Sequence, residues 1–281
     1  MTAPVRWPAE AVWEAVAPML PGFTVEVLPS VDSTNTELMR RARAGRTEPT
    51  LLVAETQTAG RGRMGRPWHS ARDGAHAALP SLMMSLGLPL APADWSGLSL
   101  AVGVSVAESL QPALPPTHGG EPRIGLKWPN DLWLQGDRKL GGILVETASF
   151  LAPQGAAAAS HAAASRYVVV GIGLNVLPRS GEGMSMPPGC LQDVNPALDA
   201  PAALLRIVPP LVSMLQSFAI YGFGPVQARF DVRDVLRERE VRLSDGTSGT
   251  AQGVGEDGAL RVLTPQGMQT VTSSEISVRP L

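Results

Sequence analysis

The chain of 281 residues carries 23 basic and 25 acidic side chains, a net charge of -2, and is 44% hydrophobic. That length can bury a full core and holds one large domain or a domain with a small appendage. The near-neutral balance excludes a general electrostatic pull toward nucleic acid or membrane, and 29 glycines and 26 prolines fall short of the level that marks disorder.

Glu10 and Glu14 interrupt the first twenty residues, and no apolar run near 18 residues is read anywhere, so the expectation is a cytoplasmic protein with no membrane contact. The single cysteine, Cys190, has no internal disulfide partner and reads as an inert thiol. His69, His76, His118 and His161 show no metal-ligand spacing, so no protein metal site is expected. Neither a nucleophile elbow nor a Walker loop is present. Of the 23 basic residues only Lys127 and Lys139 are lysine, within one 13-residue window. A compact ammonium is used there and arginine elsewhere.

In chain order, a short amphipathic helix is predicted around Ala9 to Met19, then a strand over Phe23 to Leu28. In Asp32-Ser33-Thr34-Asn35-Thr36-Glu37, Thr34 and Glu37 predict a capping box for a helix ending near Gly45. A helix start also presents amides and hydroxyls to a polar ligand. Leu51 to Glu55 reads as a strand feeding Gln57 to Trp68, which places three arginines and three glycines between Gly60 and Arg66. Glycines let a backbone approach a ligand, and guanidinium forks match phosphate or carboxylate oxygens. A dinucleotide fingerprint (Gly60, Gly62, Gly65) competes, but Arg66-Pro67-Trp68 cannot open the helix it requires. An arginine-glycine RNA tract and a solvated turn are the other readings.

Ser81 to Leu88 is predicted as a strand and Trp95 to Leu110 as an apolar helix. After a Pro/Gly-rich connector, Lys127, Trp128, Asn130 and Asp131 sit at a strand end broken by Pro129, and Gly136-Asp137 turns into a strand from Arg138 to Glu146. Residues 149–165 are alanine-rich low complexity. In the strand Tyr167 to Leu177, Gly171 and Gly173 point the same way, for a close approach or a bulge. Pro201 to Ile220 is helical with a kink or break at Pro209-Pro210, and Val226 to Leu236 is helical. Beyond Leu236, short alternating runs with turn signals suggest a small β-barrel.

Four stretches in matching order resemble the biotin protein ligase family: Asp32 to Asn35, Gln57 to Trp68, Lys127 to Asp131 with Lys139 to Ile143, and Gly171 to Asn175. The resemblance implies an α+β fold: a catalytic domain like that of class II aminoacyl-tRNA synthetases over 1–236, and an SH3-like barrel over 237–281. It implies two steps, biotin and MgATP giving biotinyl-5'-adenylate, then transfer to a lysine of a biotin carboxyl carrier protein. Ser33, Thr34 and Gln57 would hydrogen-bond the ureido group beside Asn35, with Gly60, Arg61, Gly62 and Arg63 closing over it. Arg63 and Arg66 would face phosphates, Trp68 and Asn175 the adenine, and Lys139 the biotin carboxylate. Gly171 and Gly173 would let the ring system lie flat. Asp131, with Lys127, is the candidate to orient the carrier amine.

Met64 departs from the basic residue common in that loop, and 71–81 is longer than the family's loop. With about 30 residues before Ser33, no repressor function and no DNA partner are expected. A lipoate or octanoate ligase or transferase, and a non-catalytic sensor, are the alternatives. Strand edges leave open a homodimer or carrier docking.

Overall fold

The computed structural model describes residues 5–68, 79–116, 123–149, 165–182, 186–272 and 278–281. The four histidines, residues 71–78 and 150–164 lie outside the described residues.

Seven strands form a mixed sheet: β1 (Thr24–Leu28), β2 (Thr50–Ala54), β3 (Ser81–Leu90), β4 (Ile124–Lys127), β5 (Asp131–Leu134), β6 (Arg138–Ser149) and β7 (Arg166–Asn175), in the order β1-β2-β3-β7-β6-β5-β4. Only β1 and β2 run parallel, and the crossover between them carries α2 (Thr34–Arg43). The period of two in β7 separates two packing faces. Val168, Val170, Ile172 and Leu174 enter the main core with α1 (Ala9–Val16), α3 (Leu98–Leu110) and α4 (Ala200–Tyr221). Tyr167 and Val169 point the other way, into a small cluster with Leu38 and Met39 of α2 and Leu52 of β2. Gly171 and Gly173 continue that second face without a bulge, because the registers with β3 and β6 run unbroken past both.

Four local expectations are corrected. The N-cap of α2 is Ser33, whose extended backbone lets its hydroxyl accept from the Thr36 amide. The Thr34 hydroxyl is turned away to Gln57, and Glu37 pairs with Arg40 and Arg41 instead of closing a capping box. α4 is one continuous helix through Pro209 and Pro210. The prolines leave the carbonyls of Leu205 and Arg206 without helical donors, and both residues lie on the exposed side, where water can serve them. This helix is also apolar and long enough to cross a membrane, contrary to the reading that no such run exists. Its apolar stripe, including Leu204, Ile207, Leu211 and Leu215, is buried in the core. The predicted helix over Val226 to Leu236 shortens to α5 (Gln227–Asp231), because residues 233–235 instead pair with Leu126 of β4.

The last strands, β8 (Glu240–Leu243), β9 (Ser248–Val254), β10 (Leu260–Thr264), β11 (Gly267–Val271) and β12 (Val278–Pro280), form a separate antiparallel sheet in the order β11-β10-β9-β8-β12. The architecture is therefore α+β. This sheet is fastened to the β4–β5 end of the large one. Trp128 donates its indole N–H to the Gly258 carbonyl at 3.0 Å, and Arg239 forks onto Asp137 with two bonds of 2.7 Å.

Candidate active site

A cleft of about 600 Å³ opens on the sheet face opposite the main core. Its floor follows from strand register. Ser85, Gly171 and Leu144 form one row across β3, β7 and β6, and Met83, Gly173 and Gly142 form the next. Glycine at the centre of both rows removes side chains where larger groups must lie. A Cβ on Gly171 would come within 2.0 Å of Asn35 Oδ1, and one on Gly173 within 2.7 Å of the Trp68 ring.

One end of the cleft is polar and uncharged. The Thr34 amide donates to Gln57 Oε1 at 2.8 Å and its hydroxyl to the same oxygen at 3.1 Å. The Ser85 hydroxyl, fully buried, lies 2.7 Å from Thr34 Oγ1 and 2.6 Å from Asn35 Oδ1. Asn35 in turn donates to the Leu144 carbonyl and to Glu146. The network joins α2, the loop after β2, β3 and β6, fixing rotamers at the helix start.

The other end is cationic. An extra residue on β6, between the Leu132–Gly141 and Trp133–Lys139 pairs, is a bulge at Leu140. It puts Lys139 on the same face as Gly142, three positions on, where strict alternation would turn one of them away. Across the Gly142 backbone Lys139 Nζ meets Asp131 Oδ1 at 2.7 Å. Lys127, opposite Asp131 in the β4–β5 hairpin, is buried with its ammonium 5.3 Å from the Trp133 ring centroid. Burial is the main cause that pushes the Lys127 ammonium down to about 8; Lys139, Arg66 and Arg279 add to it and Asp131 opposes it. Burial likewise lowers the Arg63 guanidinium from its ordinary value, against the pull of Asp131. Arg63 reaches Asn130 Oδ1 at 3.5 Å.

The arginine-glycine loop is a hairpin folded over the cleft. Trp68 donates its amide to the Gly60 carbonyl at 2.8 Å, and Gly62 to that of Arg66 at 2.7 Å. Met64 turns the tip at φ 55°, a left-handed conformation that costs a non-glycine residue about 1 kcal/mol. Arg61 ties the hairpin to β6 through Glu146, at 2.9 and 3.0 Å.

Of the residues predicted from sequence, Ser33, Thr34, Asn35, Gln57, Arg61, Gly62, Arg63, Arg66, Trp68, Lys127, Asp131, Lys139, Gly171, Gly173 and Asn175 all line this one cleft. Gly60 does not; it is buried behind the wall, where a Cβ would strike the Trp68 carbonyl at 2.7 Å. Asn175 spends its amide hydrogens on the Lys139 and Gly189 carbonyls, both at 3.0 Å, and accepts from Arg179. Sequence reading missed Ser85, Glu146, Arg179 and Arg279. Ser85 carried a signal, a hydroxyl inside an apolar strand; the others reach the site through tertiary contacts alone. Cys190 is buried, and burial raises its thiol, as an inert role requires. Among the described residues no group of three or more His, Cys, Asp or Glu side chains gathers.

A mixed sheet with a cleft that runs from a polar pocket to a cationic wall defines an α+β domain suited to a ligand with a neutral polar end and an anionic end. Residues 27–156 match the Biotin/lipoate A/B protein ligase family, and 238–279 the biotin protein ligase C-terminal domain. The chain is 34% identical over 265 residues to the bifunctional ligase/repressor BirA of Escherichia coli, spanning 92% of this chain and 75% of that one. To the biotin--[acetyl-CoA-carboxylase] ligase of Paracoccus denitrificans it is 29% identical, covering 89% of this chain and 98% of the other. The biotin protein ligase of Aquifex aeolicus, solved with biotin and ATP, superposes with a TM-score of 0.70 at 27% identity over 92% of this chain and 99% of its own. The chain belongs to the biotin protein ligase family.

Proposed function

We propose that this protein is an ATP-dependent biotin ligase that forms biotinyl-5'-adenylate and transfers the biotinyl group to a lysine of a biotin carboxyl carrier protein. The observation that carries this reading is one cleft whose uncharged hydrogen-bonding end and cationic end share a glycine floor. Biotin has both a ureido group and a carboxylate, and the two ends suit them in turn. Ser33, Thr34 and Gln57 hold the ureido end beside Asn35, and the flat floor at Gly171 and Gly173 takes the rings.

Joining a carboxylate to an α-phosphate needs no protein nucleophile, only positioning and cations that screen the repulsion. Lys139 is placed to hold the biotin carboxylate, with Asp131 keeping its ammonium aimed across Gly142. Arg63, Arg66 and Lys127 face the phosphates, and Mg²⁺ enters with ATP as part of that substrate. Gly60, Arg61 and Gly62 belong to the hairpin that covers the site, Trp68 stacks on the adenine, and Asn175 anchors the Lys139 backbone beneath it. The catalytic body extends over 1–236 and the small sheet over 237–281. The reaction belongs in the cytoplasm, where ATP is supplied, and uses neither DNA nor membrane.

Lipoate and octanoate lack a ureido group and leave the Thr34–Gln57 end unused. Pyrophosphate release on adding MgATP with biotin, lipoate or octanoate tests the reading. Release with biotin alone is expected; release with lipoate or octanoate in preference, or none at all, would overturn it.

A further inference from the structure

Two lysines stand in the cleft, and their surroundings differ. Lys139 is half-exposed and ion-paired with Asp131 at 2.7 Å. Lys127 is 7% exposed and, among the described residues, makes no hydrogen bond; the Trp133 ring face holds its ammonium. The charged groups around it are Asp131 from β5, Lys139 from β6, Arg66 from the hairpin and Arg279 from β12. Three of those four are cations, and the one carboxylate is already engaged by Lys139.

We propose that Lys127 is the proton acceptor of the transfer step: its ammonium first faces the ATP phosphates, and its neutral amine then takes a proton from the incoming carrier lysine. The proposal rests on the biotin ligase reading above. While the triphosphate is bound, its negative charge keeps Lys127 protonated. When pyrophosphate leaves, that charge goes with it, while Lys139, Arg66 and Arg279 remain and favour the neutral amine. Burial acts in the same direction and brings the group to about 8.

Asp131 is the competing acceptor, but its Oδ1 already accepts from Lys139 Nζ at 2.7 Å, and a proton on that carboxylate would undo the pair. Transfer to a buried amine near 8 is uphill by only about two powers of ten. The carrier ammonium gives one proton to Lys127. Its free amine attacks the biotinyl carbonyl carbon, a C–N bond forms, and the carbonyl C–O bond to phosphate breaks. The nitrogen's second proton leaves with AMP as its phosphate monoanion, and Lys127 later returns its proton to solvent.

The test is single-turnover transfer from preformed biotinyl-adenylate to the biotin-accepting domain of a biotin carboxyl carrier protein, between pH 6 and 10. The native chain is expected to accelerate with pH to a midpoint near 8. Lys127→Arg keeps the charge but cannot lose its proton; transfer should fall about 100-fold, with the midpoint gone. Trp133→Phe, which weakens the ring face that favours the ammonium, should lower the midpoint by about half a unit. An unmoved profile in either variant overturns the proposal, and the second stands if the first does not fold. Biotin-dependent pyrophosphate release by the native chain is measured first. Its absence defeats the ligase reading, whereas its presence with unmoved profiles defeats this proposal alone.

Discussion

Gly171 and Gly142 both lie on the cleft floor, yet they are glycine for reasons of different strength. A Cβ on Gly171 would stand 2.0 Å from Asn35 Oδ1, an atom held by Ser85 and backed by Asn35's own bonds to Leu144 and Glu146. That amide cannot retreat without leaving buried polar groups unpaired. A Cβ on Gly142 would meet Asp131 Oδ1 at 3.4 Å and Lys139 Nζ at 3.6 Å, which is ordinary contact. Gly171→Ala is therefore expected to lose about 1–3 kcal/mol of stability and biotin binding with it. Gly142→Ala should stay within about 1 kcal/mol, because only the ends of two flexible side chains adjust. Denaturant titration of the two variants, with calorimetric biotin binding, checks this; equal losses would show that the Asn35 contact is not what excludes a side chain.

The hairpin from Gln57 to Trp68 illustrates how far an element is legible in sequence. Its glycine and arginine spacing announced an anion-facing loop on a strand, and its residues do line the cleft. Its tether to β6 was not legible, because Arg61 and Glu146 are 85 positions apart and only the sheet order brings them together. Likewise the paired glycines of β7 left a close approach and a bulge both open, and did not name Asn35 or Trp68 as the groups that approach. The Leu140 bulge that aims Lys139 is invisible in a motif whose spacing reads as plain alternation. Strands and hairpins obeyed local rules, including positive φ at both Gly136 and Asp137 in the β5–β6 turn. α4 defied them, since tertiary burial on one side outweighs two prolines on the other. At this scale the tether is the testable part. Two backbone hydrogen bonds across the hairpin, Trp68 to Gly60 and Gly62 to Arg66, and one half-exposed ion pair leave it easily opened. Arg61→Ala should speed amide exchange at Gly62 and Trp68 in the empty protein by about 3- to 10-fold, and biotinyl-adenylate should slow exchange there. Equal protection with and without the adenylate would mean that the hairpin does not act as a lid.

The two sheets are joined through a segment with an unusual charge. Arg233 and Val235 pair with Leu126 on both sides, at 2.7 and 3.1 Å, one residue from Lys127. Between them Asp234 accepts from the Leu236 amide through Oδ1, while Oδ2 is buried without a hydrogen-bond partner among the described residues. Burial, with Asp231 nearby, raises its carboxyl to about 6 despite Arg237. A folded-state value above the unfolded one means that the folded protein binds this proton more tightly. The stabilising contribution is complete below the ordinary value near 4 and disappears as pH rises through about 6. At pH 7.5 the junction therefore holds a destabilising charge, costing about 3 kcal/mol. Asp234→Asn keeps the Oδ1 acceptor and removes the charge, so it should raise the urea midpoint at pH 7.5 and give no gain at pH 4. Chemical denaturation at both pH values is the measurement. A gain of equal size at the two would mean that packing, not ionisation, limits the junction. Because the same segment braces β4, the variant reports whether the fit between the sheets also governs the strand that carries Lys127.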